Sequence, residues 1–286
     1  MNLGAGAYRE LVYGGHLLAM GTASIAASAA FVLGSSPSWD LLLMAYLFSF
    51  GAYTINRVSD FEQDRVSHPD RTSYLKGRRS ILPAIAVVSF GIGYALAIIR
   101  NLLFFVGLLL PLLLAVAYSV GSKRMAKAFG ISRLKEGWLV KNLVVSFGWS
   151  LIPILVGLYY QELPLAILAL CPFIFMRLLV NTIFFDARDV AADVEHGVKT
   201  LPASMGIGRS WRLMDVIDIA SGAYAVVLAL SGVLPGFAGV LAVFTPYSFV
   251  YRYYSLRSSR HRDSLRDFVA DGEYILWGFV MYLGHI

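Results

Sequence analysis

Residues 163–193 read LPLAILALCPFIFMRLLVNTIFFDARDVAAD. From 163 to 185 the run carries a single charge, Arg177, and then acids arrive together at Asp186, Asp189 and Asp193. An apolar run of this kind matches the roughly 20 residues that a helix needs to cross a bilayer. Spacings of three and four place the acids on one helical face. The stretch therefore predicts a membrane-spanning helix with an acidic stripe at its end.

The rest of the chain repeats the first half of that pattern. Of its residues 58% are hydrophobic and 15% charged, whereas a soluble domain averages about a quarter charged. Apolar stretches fall at 11–33, 39–57, 80–99, 102–121, 138–158, 163–185, 214–233, 236–254 and 269–284. The first is too long for the apolar part of a signal peptide and is read as a span. Runs this long do not alternate as barrel strands do, so the expected fold is all-α. It is a single-domain (1–286) polytopic membrane bundle, with about nine transmembrane helices around a central cavity. Connections alternate between short and long. Among the 24 Lys and Arg, only Arg100 and Arg177 lie away from the N-terminus and from the long connections 58–79, 122–137, 186–213 and 255–268 with their adjoining helix ends. The positive-inside rule then predicts a cytoplasmic N-terminus, cytoplasmic loops carrying the Asp-rich motifs, and a C-terminus on the opposite side. The net charge of +6 is explained by those loops without a nucleic-acid partner.

A second acidic stripe ends the second stretch, where Asn56, Asp60 and Asp64 are spaced four and four. On a continuous helix they share a face, about 6 Å apart per step. Like charges at that spacing repel, and a hard divalent cation is the natural compensation. Mg²⁺ takes oxygen ligands and is commonly held by one or two carboxylates together with substrate phosphates. Two such stripes on helices ending on the same membrane side suggest one site between them.

The pattern resembles the UbiA-type intramembrane prenyltransferases. Asn56, Asp60 and Asp64 match the family's Asn-x-x-x-Asp-x-x-x-Asp signature. Asp189 and Asp193 match its second Asp-x-x-x-Asp, with Asp186 as a preceding carboxylate. His68-Pro-Asp-Arg71, Tyr118-Ser119 with Lys123-Arg124, and Gly197-Val-Lys-Thr-Leu-Pro202 resemble further family segments. Arg57, where many members carry Asp, and His68, in place of Arg, depart from the pattern. The resemblance implies Mg²⁺-dependent transfer of an isoprenyl group from a prenyl diphosphate to a hydrophobic or aromatic acceptor. Asn56, Asp60 and Asp64 would hold one Mg²⁺, with Asp189 and Asp193, helped by Asp186, holding another. Arg71, Lys123, Arg124 and Lys199 are the candidate diphosphate binders. The same ionisation without an acceptor would give a terpene cyclase.

The chemistry follows from elementary physics. Diphosphate leaves only when its charge is neutralised, which metal ions and cationic side chains can do. The allylic cation left behind needs a dry cavity, and 18 Phe and 16 Tyr provide aromatic faces to stabilise it. A transporter would keep its carboxylates near the bilayer midplane, whereas these stand at helix ends.

Arg177 lies nine residues before Asp186, about 13 Å deeper along the helix. A charge at that depth faces the protein interior with a partner. It is expected either to contact an acceptor in the cavity, alongside Asn181 and Tyr118, or to form a structural pair. His16 is expected to be a hydrogen-bonded core residue. Asp215, Asp218, Asp271 and Glu273 are read as helix N-terminal charges favoured by the macrodipole. The lone Cys171 reads as a small buried apolar residue. Nothing in the sequence selects the acceptor or the donor's chain length.

Overall fold

The computed structural model describes residues 3–123, 127, 133–136, 139–195, 200–257 and 263–286, with 3–5, 63, 66–67, 136, 191–195, 256–257 and 263–266 described by backbone alone. Among these residues the chain is helical, with no strand. The helices are α1 Leu3–Tyr13, α2 His16–Val32, α3 Trp39–Ser59, α4 Phe61–Ser67, α5 Pro69–Lys76, α6 Leu82–Arg100, α7 Leu102–Gly107 and α8 Leu109–Ser119. There follow α9 Val140–Ser150, α10 Ile152–Tyr160, α11 Leu165–Glu195, α12 Leu201–Met205, α13 Ile207–Leu230, α14 Phe244–Arg257 and α15 Asp263–His285. Two 3₁₀ segments, Leu134–Glu136 and Gly236–Val243, precede α9 and α14.

Six segments are long and apolar enough to cross a membrane: Trp39–Ser59, Leu82–Arg100, Leu102–Ser119, Val140–Tyr160, Leu165–Val190 and Ile207–Leu230. They coincide with six of the nine expected stretches. The expected first span is a pair, α1 and α2, bent by 62°. Gly15 makes the bend with φ +94, and a Cβ there would stand 2.8 Å from Arg57 Nη1. Arg57 fills that corner. Its guanidinium donates to the carbonyls of Tyr13 and Val12, capping the last carbonyls of α1 as a cation does at a helix C-terminus. This departure from the family pattern therefore has a structural role. The expected eighth span begins as a 3₁₀ segment. The ninth lies in α15, whose acids at 263, 267, 271 and 273 break the apolar window. By length and apolarity, six segments qualify among the described residues, or seven with the bent pair.

α15 packs along α2, α3 along α2 and α6, and α11 between α9 and α13. Glycine permits close approach at several contacts. A Cβ on Gly51 would meet Phe90 at 2.9 Å, and one on Gly278 would meet Ser24 Oγ at 2.3 Å. α11 is 31 residues long. At 1.5 Å per residue that is about 46 Å, against about 30 Å of hydrocarbon. Its C-terminal turns, carrying the acids, therefore have length to project beyond the apolar layer. Cys171 is partly buried and donates to Ile167 O at 3.4 Å. His16 is hydrogen-bonded as expected, to Tyr46 Oη and to Glu10 Oε1 at 3.3 Å.

The helix-terminal reading of four acids is corrected here. α13 begins at Ile207 and α15 at Asp263, so Asp215, Asp218, Asp271 and Glu273 all lie turns inside their helices. The apolar runs start later than the helices do, because polar residues before them continue the same helix. Asp218 and Glu273 are 0% and 1% exposed and close on Arg177, itself 2% exposed. Arg177 donates to Glu273 Oε1 from Nη2 at 2.5 Å and from Nε at 3.0 Å, to Asp218, and to Phe244 O at 2.9 Å. Arg252 donates to Asp218 Oδ2 at 2.6 Å and to Asp215 Oδ1 at 2.8 Å. Of the two expectations for Arg177, the structural pair is the one found.

Candidate active site

The first acidic stripe is a corner rather than one straight face. α3 ends at Ser59, and Asp60 (φ −102, ψ 5) joins it to α4. The turn keeps its register, with Asp60 N–H on Asn56 O at 3.0 Å and Asp64 N–H on Asp60 O at 2.8 Å. Asn56 Oδ1 accepts from Ser119 Oγ at 3.3 Å and from Lys135 Nζ at 3.0 Å. Asp60 takes Lys135 and, at 3.2 Å, Arg133 Nη1. Asp64 pairs with Arg71 Nη2 of α5 at 2.9 Å. Burial draws the Lys135 ammonium below the usual lysine pKa, and its bond to Asp60 opposes the shift.

The second stripe stands on α11. Asp186, 2% exposed, has both oxygens occupied, by Lys141 Nζ at 2.6 Å and Asn142 Nδ2 at 2.8 Å from α9. Asp189 receives a two-pronged contact from Arg188, at 2.8 and 2.9 Å. Arg188 also reaches Asp267 of α15. His68, between α4 and α5, lies 3.5 Å from Asp189 Oδ2 through Nε2. It thus links the segment of the first stripe to the second, and Asn56 and Asp64 of the first line one chamber with Asp186 and Asp189 of the second, while Asp60 lines neither cavity.

Two cavities of about 240 Å³ each meet there. The polar chamber is walled by Asp64, Arg71, Lys141, Asp186, Arg188 and Asp189. The apolar one is walled by residues such as Met44, Phe48, Leu112, Trp149 and Ile152. Tyr53, Asn56, Tyr118 and Val145 line both. A charged chamber therefore borders an apolar one, and the first motif residue, Asn56, stands in their shared wall.

Of the predicted cavity residues, Tyr118 and Asn181 line the polar chamber, and Arg177 is sealed in its own network instead. Lys123 is exposed and is not among the residues lining either cavity. The side chain of Asp193, and residues Arg124 and Lys199, lie outside the described residues. Lys135, Arg133, Lys141 and Asn142 touch the motif acids and were not singled out from sequence. In the sequence the three cations read only as charge of the long connection and its helix end. A signal did exist for α9, where Asn142, Ser146 and Ser150 recur every four residues in an apolar helix and are all buried.

Among the described residues no three His, Cys, Asp or Glu stand together as a ready-made metal site. The available donors, Asn56, Asp60 and Asp64 on one side and Asp189 on the other, are hard oxygens. They fit Mg²⁺, whose shell is usually completed by waters and substrate phosphates.

Residues 19–279 match the model of the UbiA prenyltransferase family. The chain belongs to this family. Relatives of the UbiA chain include digeranylgeranylglyceryl phosphate synthase of Sulfurisphaera tokodaii, 29% identical over 202 residues, covering 69% of this chain and 66% of the relative. The synthase of the same name from Saccharolobus solfataricus is 28% identical over 218 residues, covering 72% and 70%. In fold, the chain matches a UbiA homologue from Archaeoglobus fulgidus solved with GPP and Mg²⁺ (TM-score 0.67, 17% identity, 96% of this chain and 98% of the other). It also matches the apo UbiA homologue from Aeropyrum pernix K1 (TM-score 0.66, 14% identity, 94% and 96%).

Proposed function

We propose that this UbiA-family protein transfers an isoprenyl group from a prenyl diphosphate to the hydroxyl of a glycerol-phosphate lipid within the membrane. The observation that carries the reading is the pair of adjoining cavities, one polar and one apolar, with Asn56 in their shared wall. A prenyl diphosphate has the same division, with a polyanionic head and a hydrocarbon tail, and the boundary at Asn56 would fall near the bond that breaks. The acceptor class is supported by the relatives of this chain named digeranylgeranylglyceryl phosphate synthase, whose name specifies a glyceryl phosphate product.

Asn56, Asp60 and Asp64 are assigned to one Mg²⁺, and Asp189 with Asp193 to a second. Bound there, Mg²⁺ neutralises the diphosphate's growing negative charge and so makes it a leaving group. Asp186, with both oxygens held by Lys141 and Asn142, orients those groups toward the head rather than binding metal directly. Arg71 and Lys141 line the chamber and offer charge-assisted hydrogen bonds to phosphate oxygens. Lys123, exposed and outside the walls, is not assigned to the donor. The aromatic and aliphatic side chains around Trp149 and Phe48 exclude water from the allylic cation.

The test is a product assay in detergent or vesicles, with Mg²⁺, prenyl diphosphates of several lengths, and a panel of glycerol-phosphate and aromatic acceptors. An ether-linked prenyl lipid formed only with the glycerol-phosphate acceptor is expected. Prenylation of an aromatic ring alone would reject the acceptor assignment, and a cyclic hydrocarbon formed without acceptor would reject transfer.

A further inference from the structure

Joining a prenyl cation to an alcohol leaves a proton to remove. The acids bordering the polar chamber are Asp64, Asp186, Asp189, Asp267 and Asp271. Four of them already meet cations: Asp64 with Arg71, Asp186 with Lys141, and Asp189 and Asp267 with Arg188. Three of those are also assigned to the metal sites or their support. A carboxylate held by guanidinium, ammonium or metal is a weak proton acceptor, because each partner stabilises the ionised form.

Asp271 differs. It is 8% exposed, yet it forms part of the chamber wall. Its hydrogen-bond partner among the described residues is the neutral amide of Asn181, 3.5 Å away. Among those residues no Lys, Arg or His nitrogen lies within 4.0 Å of it. The charged groups sharing the chamber with it are Arg57 on α3, Arg188 and Asp189 on α11, Asp267 one turn earlier on α15, and Asp64, Arg71, Lys141 and Asp186 around the head. Its depth is also informative. Asn181 precedes Asp186 by five residues, about 7.5 Å along α11. Asp271, beside Asn181, therefore stands on the interior side of Asp186 and Asp189 along α11.

We propose that Asp271 is the general base for the acceptor. The inference rests on the alcohol reading above. The C–O bond between the prenyl chain and diphosphate breaks, and its electron pair leaves with diphosphate. A lone pair on the acceptor hydroxyl forms the new C–O bond to the prenyl carbon. The hydroxyl proton passes to the Asp271 carboxylate, and no other reactant is required. Asn181 donates to Asp271 and holds the carboxylate toward the chamber, which makes it a positioning residue.

The experiment compares wild-type protein with Asp271→Asn and Asp271→Glu at saturating prenyl diphosphate and Mg²⁺. Ether formation is followed against acceptor concentration and pH, alongside thermal unfolding. Loss of a general base lowers rates by about 10²–10⁴-fold. A fall in kcat of that order in Asp271→Asn is expected, with acceptor KM and melting temperature little changed. The acid limb of the wild-type pH profile should vanish in that variant, and Asp271→Glu should recover part of the rate and keep a limb. Asp271→Asn working at near wild-type kcat, or losing rate only in step with stability, would overturn the assignment. Wild-type protein that makes no ether but prenylates an aromatic carbon would instead remove the alcohol reading itself.

Discussion

α11 carries two polar centres with opposite fates, Arg177 in its middle and Asp186 with Asp189 at its end. Around Arg177 the network is closed. Arg177, Asp218, Glu273 and Arg252 are each 2% exposed or less, and their ionic groups meet one another. At the other end Asp189 and Asp64 border a cavity, and their partners come from segments that leave room for a ligand. Burial and charge alone thus do not mark a site. What separates the two centres is whether space remains beside the charged oxygens.

That contrast predicts unequal responses to substitution. The largest concerns stability. Removing one member of a buried ion pair typically costs about 3–5 kcal/mol, because its partners stay buried and unpaired. Arg177→Ala should lower the melting temperature sharply in a detergent unfolding assay, while the fraction that folds keeps its affinity for the acceptor. A stable Arg177→Ala protein with weakened acceptor binding would move Arg177 into the site and dissolve the contrast.

The next effect lies in the chamber. Lys141→Ala removes one charged partner of Asp186 and one wall of the polar chamber. A hydrogen bond to a charged group is worth about 1.5–3 kcal/mol, so kcat/KM for the prenyl diphosphate should fall by about tenfold or more. The smallest effect belongs to Lys123, exposed and outside both cavities. Surface substitutions usually stay within about 0.5 kcal/mol, so Lys123→Ala should change kcat/KM by about twofold at most. Steady-state kinetics on the pair tests whether the chamber wall, rather than loop charge in general, holds the donor.

The sequence made the motif acids legible for a clear reason. Asn56, Asp60 and Asp64, like Asp186 and Asp189, lie close in the chain, and helical periodicity turns their spacing into direction. Their partners were harder to see. Lys135 and Lys141 reach Asp60 and Asp186 across 75 and 45 residues, and no local period encodes such contacts. The deeper acids were misread for a different reason. Hydropathy places a span at the start of its apolar run, but α13 and α15 begin earlier, so Asp218 and Asp271 seemed terminal when they are buried well inside. The bend at Gly15 falls inside the apolar run 11–33, where only the Gly14-Gly15-His16 interruption marks it. Its capping residue, Arg57, stands 44 residues away from Tyr13, whose carbonyl it binds.

The central claim is that the two acidic clusters act together on one diphosphate. The most direct measurement is Mg²⁺-dependent diphosphate release by wild-type protein, Asp60→Asn and Asp189→Asn, each checked for folding. Losing charge stabilisation at the leaving group costs on the order of 10²–10³-fold in rate. Both variants are therefore expected to fall by at least that factor, with melting temperatures near wild type. Full activity in either variant would contradict a site shared between the clusters.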